Sequence, residues 1–143
     1  VKEQDLFVLD ASVALSWVFE DESTGYTEEV LESLSSNEAI VPVIWPLEVG
    51  NGLLVAERRG WLTHADTVQF LDLLSRLPVH LETAGMKSML GEIMELARKE
   101  RLSTYDASYL DVAMRLGLSL ATKDRALSEA ASRCGVKIFK YPG

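Results

Sequence analysis

The stretch Leu6-Phe7-Val8-Leu9-Asp10-Ala11-Ser12-Val13-Ala14-Leu15-Ser16-Trp17-Val18 sets how the rest of the chain is read. Its first four residues form an apolar run of strand length. Asp10 to Ser12 then make a turn, and Val13, Leu15, Trp17 and Val18 give a short amphipathic stretch. This is a strand, a turn and a helix, with one acid at the junction.

The same alternation continues downstream. Helix is predicted over residues 27–34 and strand over 39–41. Pro42 and Pro46 impose extended or turn geometry ahead of a helix from about 47 to 59, which Gly60 ends. Thr63, with Asp66 three residues on, resembles a capping box for a helix whose stripe includes Val68, Leu71 and Leu74 and which Pro78 stops. A third strand is expected over 79–81 and a helix carrying Met86, Met89, Leu90, Ile93, Met94 and Ala97. Thr104 can cap a helix through Leu116, followed by strand 118–122, helix 125–133 and a last strand 136–139. Five strands alternating with helices predict an α/β fold, a three-layer α/β/α sandwich around a five-stranded, mainly parallel sheet, in one domain over residues 1–143.

Composition narrows the function classes. The 143 residues carry 14 Lys+Arg against 22 Asp+Glu, a net charge of −8, and 48% are apolar. That is ample material for a core and rules out a disordered acidic tail. The longest apolar stretch, 39–47, is broken by Pro42 and falls short of the ~20 residues that span a bilayer. With no secretory leader pattern after Val1, a cytoplasmic location is expected; a chain opening on Val suggests that an initiator is missing. The single cysteine, Cys134, excludes an intrachain disulfide, and no Cys/His spacing suits zinc. A charge of −8 argues against a protein that coats nucleic acid.

The placement of the acids matters more than their sum. In a parallel α/β sheet the C-terminal strand ends and the following helix N-termini share one edge, where ligands bind. Asp10 follows strand one, Asp124 follows the 118–122 strand, and Asp106 lies in the first turn of the helix from 104. Glu48 is expected in the first turn of the helix after strand two, with Asn51 on the same helical face. Any one of these acids is explained by helix capping or the helix dipole. Four at one edge, without a nearby His or Cys, would repel one another unless a cation joined them. All-oxygen ligation selects Mg²⁺ or Mn²⁺, and the chemistry then implied is phosphodiester hydrolysis. Nucleotide-binding and serine-hydrolase motifs are absent from the sequence. His64 is expected on the solvent side of a helix start, His80 in a strand, and Cys134 in the core.

Four motifs, Val8-Leu9-Asp10-Ala11-Ser12-Val13-Ala14-Leu15, Pro46-Leu47-Glu48-Val49-Gly50-Asn51, Thr104-Tyr105-Asp106-Ala107-Ser108-Tyr109-Leu110 and Leu120-Ala121-Thr122-Lys123-Asp124, occur in that order. Together they resemble the PIN-domain ribonucleases, specifically the VapC-type toxins of prokaryotic toxin–antitoxin pairs, over essentially the whole chain. The resemblance implies an endoribonuclease dependent on Mg²⁺, with Mn²⁺ as the expected substitute, whose metal cluster carries over to Asp10, Glu48, Asp106 and Asp124. It further implies a homodimer silenced by a cognate antitoxin, with structured RNA as substrate. Ser12, Asn51 and Thr122 look like the polar residues that support such a cluster. Asp111, about 140° around the helix from Asp106, is expected to point elsewhere into solvent. Phosphate contacts are expected from Lys123 and Arg125, which bracket Asp124, and from Arg58 and Arg59 further down the Glu48 helix. Two other readings stay open: a catalytically silent PIN-type binding module, and a phospho-acceptor receiver domain. The latter would need an Asp ending the third strand, where this chain has Glu82.

Overall fold

A computed structural model describes residues 6–142; the reading of the first residues as carrying no leader lies outside them. The elements are β1 (Leu6–Leu9), α1 (Ala11–Ser16), a 3₁₀ turn (Glu20–Glu22), α2 (Gly25–Ser33), β2 (Glu38–Pro42), α3 (Ile44–Arg58) and α4 (His64–Ser75). They continue as β3 (Val79–Glu82), α5 (Met86–Leu90), α6 (Glu92–Glu100), α7 (Thr104–Leu116), β4 (Ser119–Ala121) and α8 (Arg125–Arg133). The strands form one sheet in the order β3-β2-β1-β4, with every pairing parallel.

β1 lies inside this sheet, registering Phe7 against both Ala39 and Ser119. Phe7, Val8 and Leu9 are fully buried, as a parallel strand covered on both faces demands. The chain leaves β1 in one direction to β2 and β3, then returns to place β4 on its other side. The strand order therefore reverses between β1 and β4. A crevice opens beyond the C-terminal ends of strands at such a reversal.

The fifth strand is not formed as expected. Residues 136–139 run beside β4 but make one isolated bridge, Leu120 with Ile138, through Leu120 N–H to Lys137 O and Phe139 N–H to Leu120 O, both 2.9 Å. β4 is only three residues long and starts two residues after Gly117, whose left-handed φ of 66° ends α7. Such a strand offers its outer neighbour too little edge for a ladder. Phe139 is held instead by its ring, stacked 3.9 Å from that of Phe7.

Three helix boundaries also differ. α3 begins at Ile44 and takes in Pro46, because a proline in the first helical turn loses no hydrogen bond. Glu48 thus sits in the second turn. Gly91 breaks the expected helix over Met86 and Ala97 into α5 and α6. Ser103, not Thr104, caps α7 by accepting from Asp106 N–H at 3.0 Å. The Thr63–Asp66 capping box is present with both of its reciprocal bonds.

Candidate active site

Asp10 follows β1 at the head of α1, where a carboxylate would ordinarily cap the helix. It makes no such bond. Its Oδ2 accepts from Ser12 Oγ at 2.8 Å and from Thr122 Oγ1 at 2.7 Å. Both hydroxyls have a second role on the backbone beyond β4. Thr122 Oγ1 accepts from Asp124 N–H at 2.9 Å, and Ser12 Oγ accepts from Lys123 N–H at 3.2 Å. Two short polar side chains thereby tie the end of β1 to the end of β4, and Asp10 is left 5% exposed at the reversal point.

The other three acids arrive from separate helices. Asp124 caps α8, with Oδ1 accepting from Leu127 N–H at 2.9 Å. Asp106 occupies the first turn of α7, and its half-buried carboxylate has no hydrogen-bond partner among the described residues. Glu48 comes from α3, which packs closely on α1 because position 52 is glycine. A Cβ there would stand 2.7 Å from Leu15 Cδ1. Glu48 Oε1 accepts from Tyr109 O–H at 2.5 Å.

Electrostatics tie the four together. Burial raises the Asp10 carboxyl, the Thr122 and Ser12 hydroxyls oppose that rise, and the Asp124 charge adds to it. Burial raises Glu48, the Tyr109 bond lowers it, and the Asp10 charge raises it again. Asp106 is pushed up to about 6 by burial and then by the charges of Asp10, Asp124 and Glu48. Burial and the bond to Glu48 raise the Tyr109 hydroxyl, so it stays a proton donor throughout the ordinary pH range. The approach is one of coupled charge and not of direct ligation. Among the described residues, no group of three or more His, Cys, Asp or Glu side chains is gathered tightly enough to hold one ion.

Arginines hold several other acids in the chain, while Glu28, Glu57 and Asp66, like these four, have only neutral donors among the described residues. Asp72 pairs with Arg76, Glu82 and Asp111 with Arg115, Glu100 with Arg133 and Glu129 with Arg125. Among the described residues none of Asp10, Glu48, Asp106 and Asp124 has an ion pair, and their donors are hydroxyls and a backbone N–H. Lys123 and Arg125 flank Asp124 yet turn away from it. Lys123 Nζ reaches the Glu22 carbonyl at 3.0 Å, and Arg125 Nε reaches Glu129 at 3.2 Å.

The remaining sequence candidates are dispersed. Asn51 is exposed one turn beyond Glu48 and makes no hydrogen bond to the acids among the described residues. Arg58 and Arg59 are exposed about 15 Å further along α3, with the Arg59 guanidinium 5.1 Å from the Trp61 ring centre. His64 is exposed at the start of α4, and His80 on β3 bonds Glu38. Asp111 departs from expectation: it is 7% exposed and not solvated. Arg115, one turn along α7, meets it at 2.9 Å and reaches Glu82 at 2.7 Å, so the pair of acids is closed under a shared guanidinium. Tyr109 was not among the expected site residues, although its i+3 spacing from Asp106 puts the two on one helical face.

Comparison with known proteins gives the family and the fold. Ribonuclease VapC3 of Pyrobaculum aerophilum is 27% identical over 122 residues, covering 85% of this chain and 92% of that one. Ribonuclease VapC9 of Mycobacterium tuberculosis is 28% identical over 135 residues, covering 93% and 98%. The crystal structure of Mycobacterium tuberculosis VapC20, described as a sarcin-ricin loop cleaving toxin, shares the fold with a TM-score of 0.65 at 16% identity, over 87% of this chain and 94% of that one. The family model for the PIN domain matches residues 7–132. With strands, acids and crevice arranged as described, the chain belongs to the PIN-domain family.

Proposed function

We propose that this protein is a Mg²⁺-dependent endoribonuclease, the toxin of a toxin–antitoxin pair, with Asp10, Glu48, Asp106 and Asp124 as its catalytic and metal-holding set. The observation that carries this reading is the charge coupling among the four acids, which have no cation between them among the described residues. Four coupled carboxylates supported only by neutral donors are unfavourable alone, and a hard divalent cation relieves them. Mg²⁺ keeps several of its waters, so one or two of these carboxylates could hold it. When bound, such an ion would offset part of the site's negative charge and would acidify a water for attack on the phosphodiester. The ribonuclease names of the VapC3 and VapC9 relatives support the same reaction.

In this reading the chain's own groups have separate tasks. Ser12 and Thr122 fix Asp10, Leu127 N–H fixes Asp124, and Tyr109 bonds Glu48. Asp106 has no hydrogen-bond donor among the described residues, and the burial and repulsion that lift its carboxyl to about 6 are what a cation would relieve. Lys123 and Arg125 would exchange their contacts with Glu22 and Glu129 for RNA phosphates, and Arg58 and Arg59 would meet the backbone of a longer RNA. A basic antitoxin segment would suit the acidic crevice. A homodimer in the cytoplasm completes the proposal; among the described residues no helix is long and apolar enough to cross a membrane.

The test is cleavage of total RNA by the purified protein. Cleavage is expected with Mg²⁺ or Mn²⁺, none in EDTA, and none with Asp10→Asn of native fold. Activity that survives EDTA or the substitution refutes the mechanism, and inactivity under all conditions favours the silent binding module. The receiver-domain alternative has no support, since Glu82 at the end of β3 is bound to Arg115.

A further inference from the structure

We infer that Tyr109 is a positioning residue of the acid set, holding Glu48 through its hydroxyl; this rests on the metal-dependent reading above. Tyr109 is fully buried in the main core, and its ring alone would fill that space. The hydroxyl is what packing does not explain. It reaches from α7 to α3, across 61 positions of sequence, and donates to Glu48 Oε1 at 2.5 Å. A buried phenol needs a polar partner, and here it takes one of the four unpaired acids.

Three features favour positioning over plain core satisfaction. Glu48 has a long, rotamer-rich side chain, and among the described residues Tyr109 is its hydrogen-bond donor. A neutral donor orients a carboxylate without cancelling its charge, whereas an arginine at the same place would compete with a bound cation. α7 also carries Asp106 three residues earlier, so one helix supplies one acid and fixes a second from α3. Ser12 and Thr122 treat Asp10 in the same manner, with neutral hydroxyls. If only volume mattered, phenylalanine would serve equally well at position 109.

The experiment is calorimetric titration of the complete protein with Mn²⁺ alone, without RNA. Tyr109→Phe should weaken Mn²⁺ binding about tenfold, as loss of an outer partner of a metal ligand does. In the Glu48→Gln background the same substitution should cause no further loss. Binding by Tyr109→Phe within twofold of the unsubstituted protein overturns the inference, as does an equal loss in both backgrounds. If the unsubstituted protein binds no Mn²⁺, the metal-dependent reading falls, and this inference with it. If Tyr109→Phe does not fold, the unsubstituted protein decides. With ¹³C-labelled tyrosine, Mg²⁺ should shift the Tyr109 ring resonances, and Glu48→Gln should remove that shift. A ring that does not respond to Mg²⁺ refutes the role.

Discussion

Replacing Asp106 with asparagine should stabilise the metal-free protein while abolishing RNA cleavage. Burial and three neighbouring carboxylates hold this carboxyl at about 6 against an ordinary 3.8. Each tenfold change in proton affinity is worth about 1.4 kcal/mol, so full ionisation would cost about 3 kcal/mol. Asp106 is only half-buried, and solvent screening reduces that to about 1.5 kcal/mol. The sign follows from linkage. The folded-state value lies above the unfolded one, so the stabilising contribution of the protonated form is complete below 3.8 and is lost as the pH rises through about 6. Asparagine is neutral throughout and does not lose it. Thermal unfolding followed by circular dichroism in EDTA should therefore give Asp106→Asn a Tm about 3–6 °C above the unsubstituted protein at pH 8. At pH 5 about half of that advantage should vanish, and at pH 4 most of it. Saturating Mg²⁺ at pH 8 should raise the unsubstituted protein more than the variant. A variant no more stable at pH 8, or an advantage undiminished at pH 5, would refute the claim that burial and the neighbouring charges together hold this carboxyl up.

Three further expectations concern other parts of the molecule. Thr122→Val keeps the shape but strips Asp10 of a donor and Asp124 N–H of its acceptor, so the urea midpoint should fall by the equivalent of about 1–3 kcal/mol; an unchanged midpoint would make those bonds dispensable. Arg115→Ala leaves the buried Asp111 unpaired and should cost about 3 kcal/mol, more than Glu82→Ala, which leaves the Asp111 pair intact. Equal losses would show that Asp111 does not need the guanidinium. Arg58→Glu combined with Arg59→Glu should slow cleavage of a folded RNA while sparing a short oligonucleotide, because both lie about 15 Å down α3 from Glu48. Equal slowing of both substrates would mean that the arginines act at the acids themselves.

The placement of the candidate acids was legible in outline because they sit where local pattern meets topology. Asp10 ends an apolar strand and Asp124 follows another, so strand–helix alternation alone brought them to one edge. The Thr63–Asp66 box was legible because capping is local. What local pattern misses is set by distant residues. The angular spacing of Asp111 correctly directed it away from Asp106, but nothing near it revealed that Glu82, on a different strand, would help close Arg115 over it. Nothing local marks the Tyr109 hydroxyl, and only the arrival of α3 gives it a carboxylate. Pro46 suggested a later start to α3, although the first turn tolerates it. The last strand looked like its predecessors in sequence, and what it lacked was a neighbour with enough length to pair.

The bond from Thr122 to Asp10 spans 112 positions of sequence, and that separation has a kinetic meaning. A chain made from its N-terminus presents Asp10 early, but β4 must emerge and pair beside β1 before Thr122 can reach it. Asp124 is supplied later still. Parallel pairing over such separations is a slow folding event, because loop-closure entropy is lost before the contact forms. The carboxylate set thus stays incomplete until β4 and the start of α8 have docked beside β1.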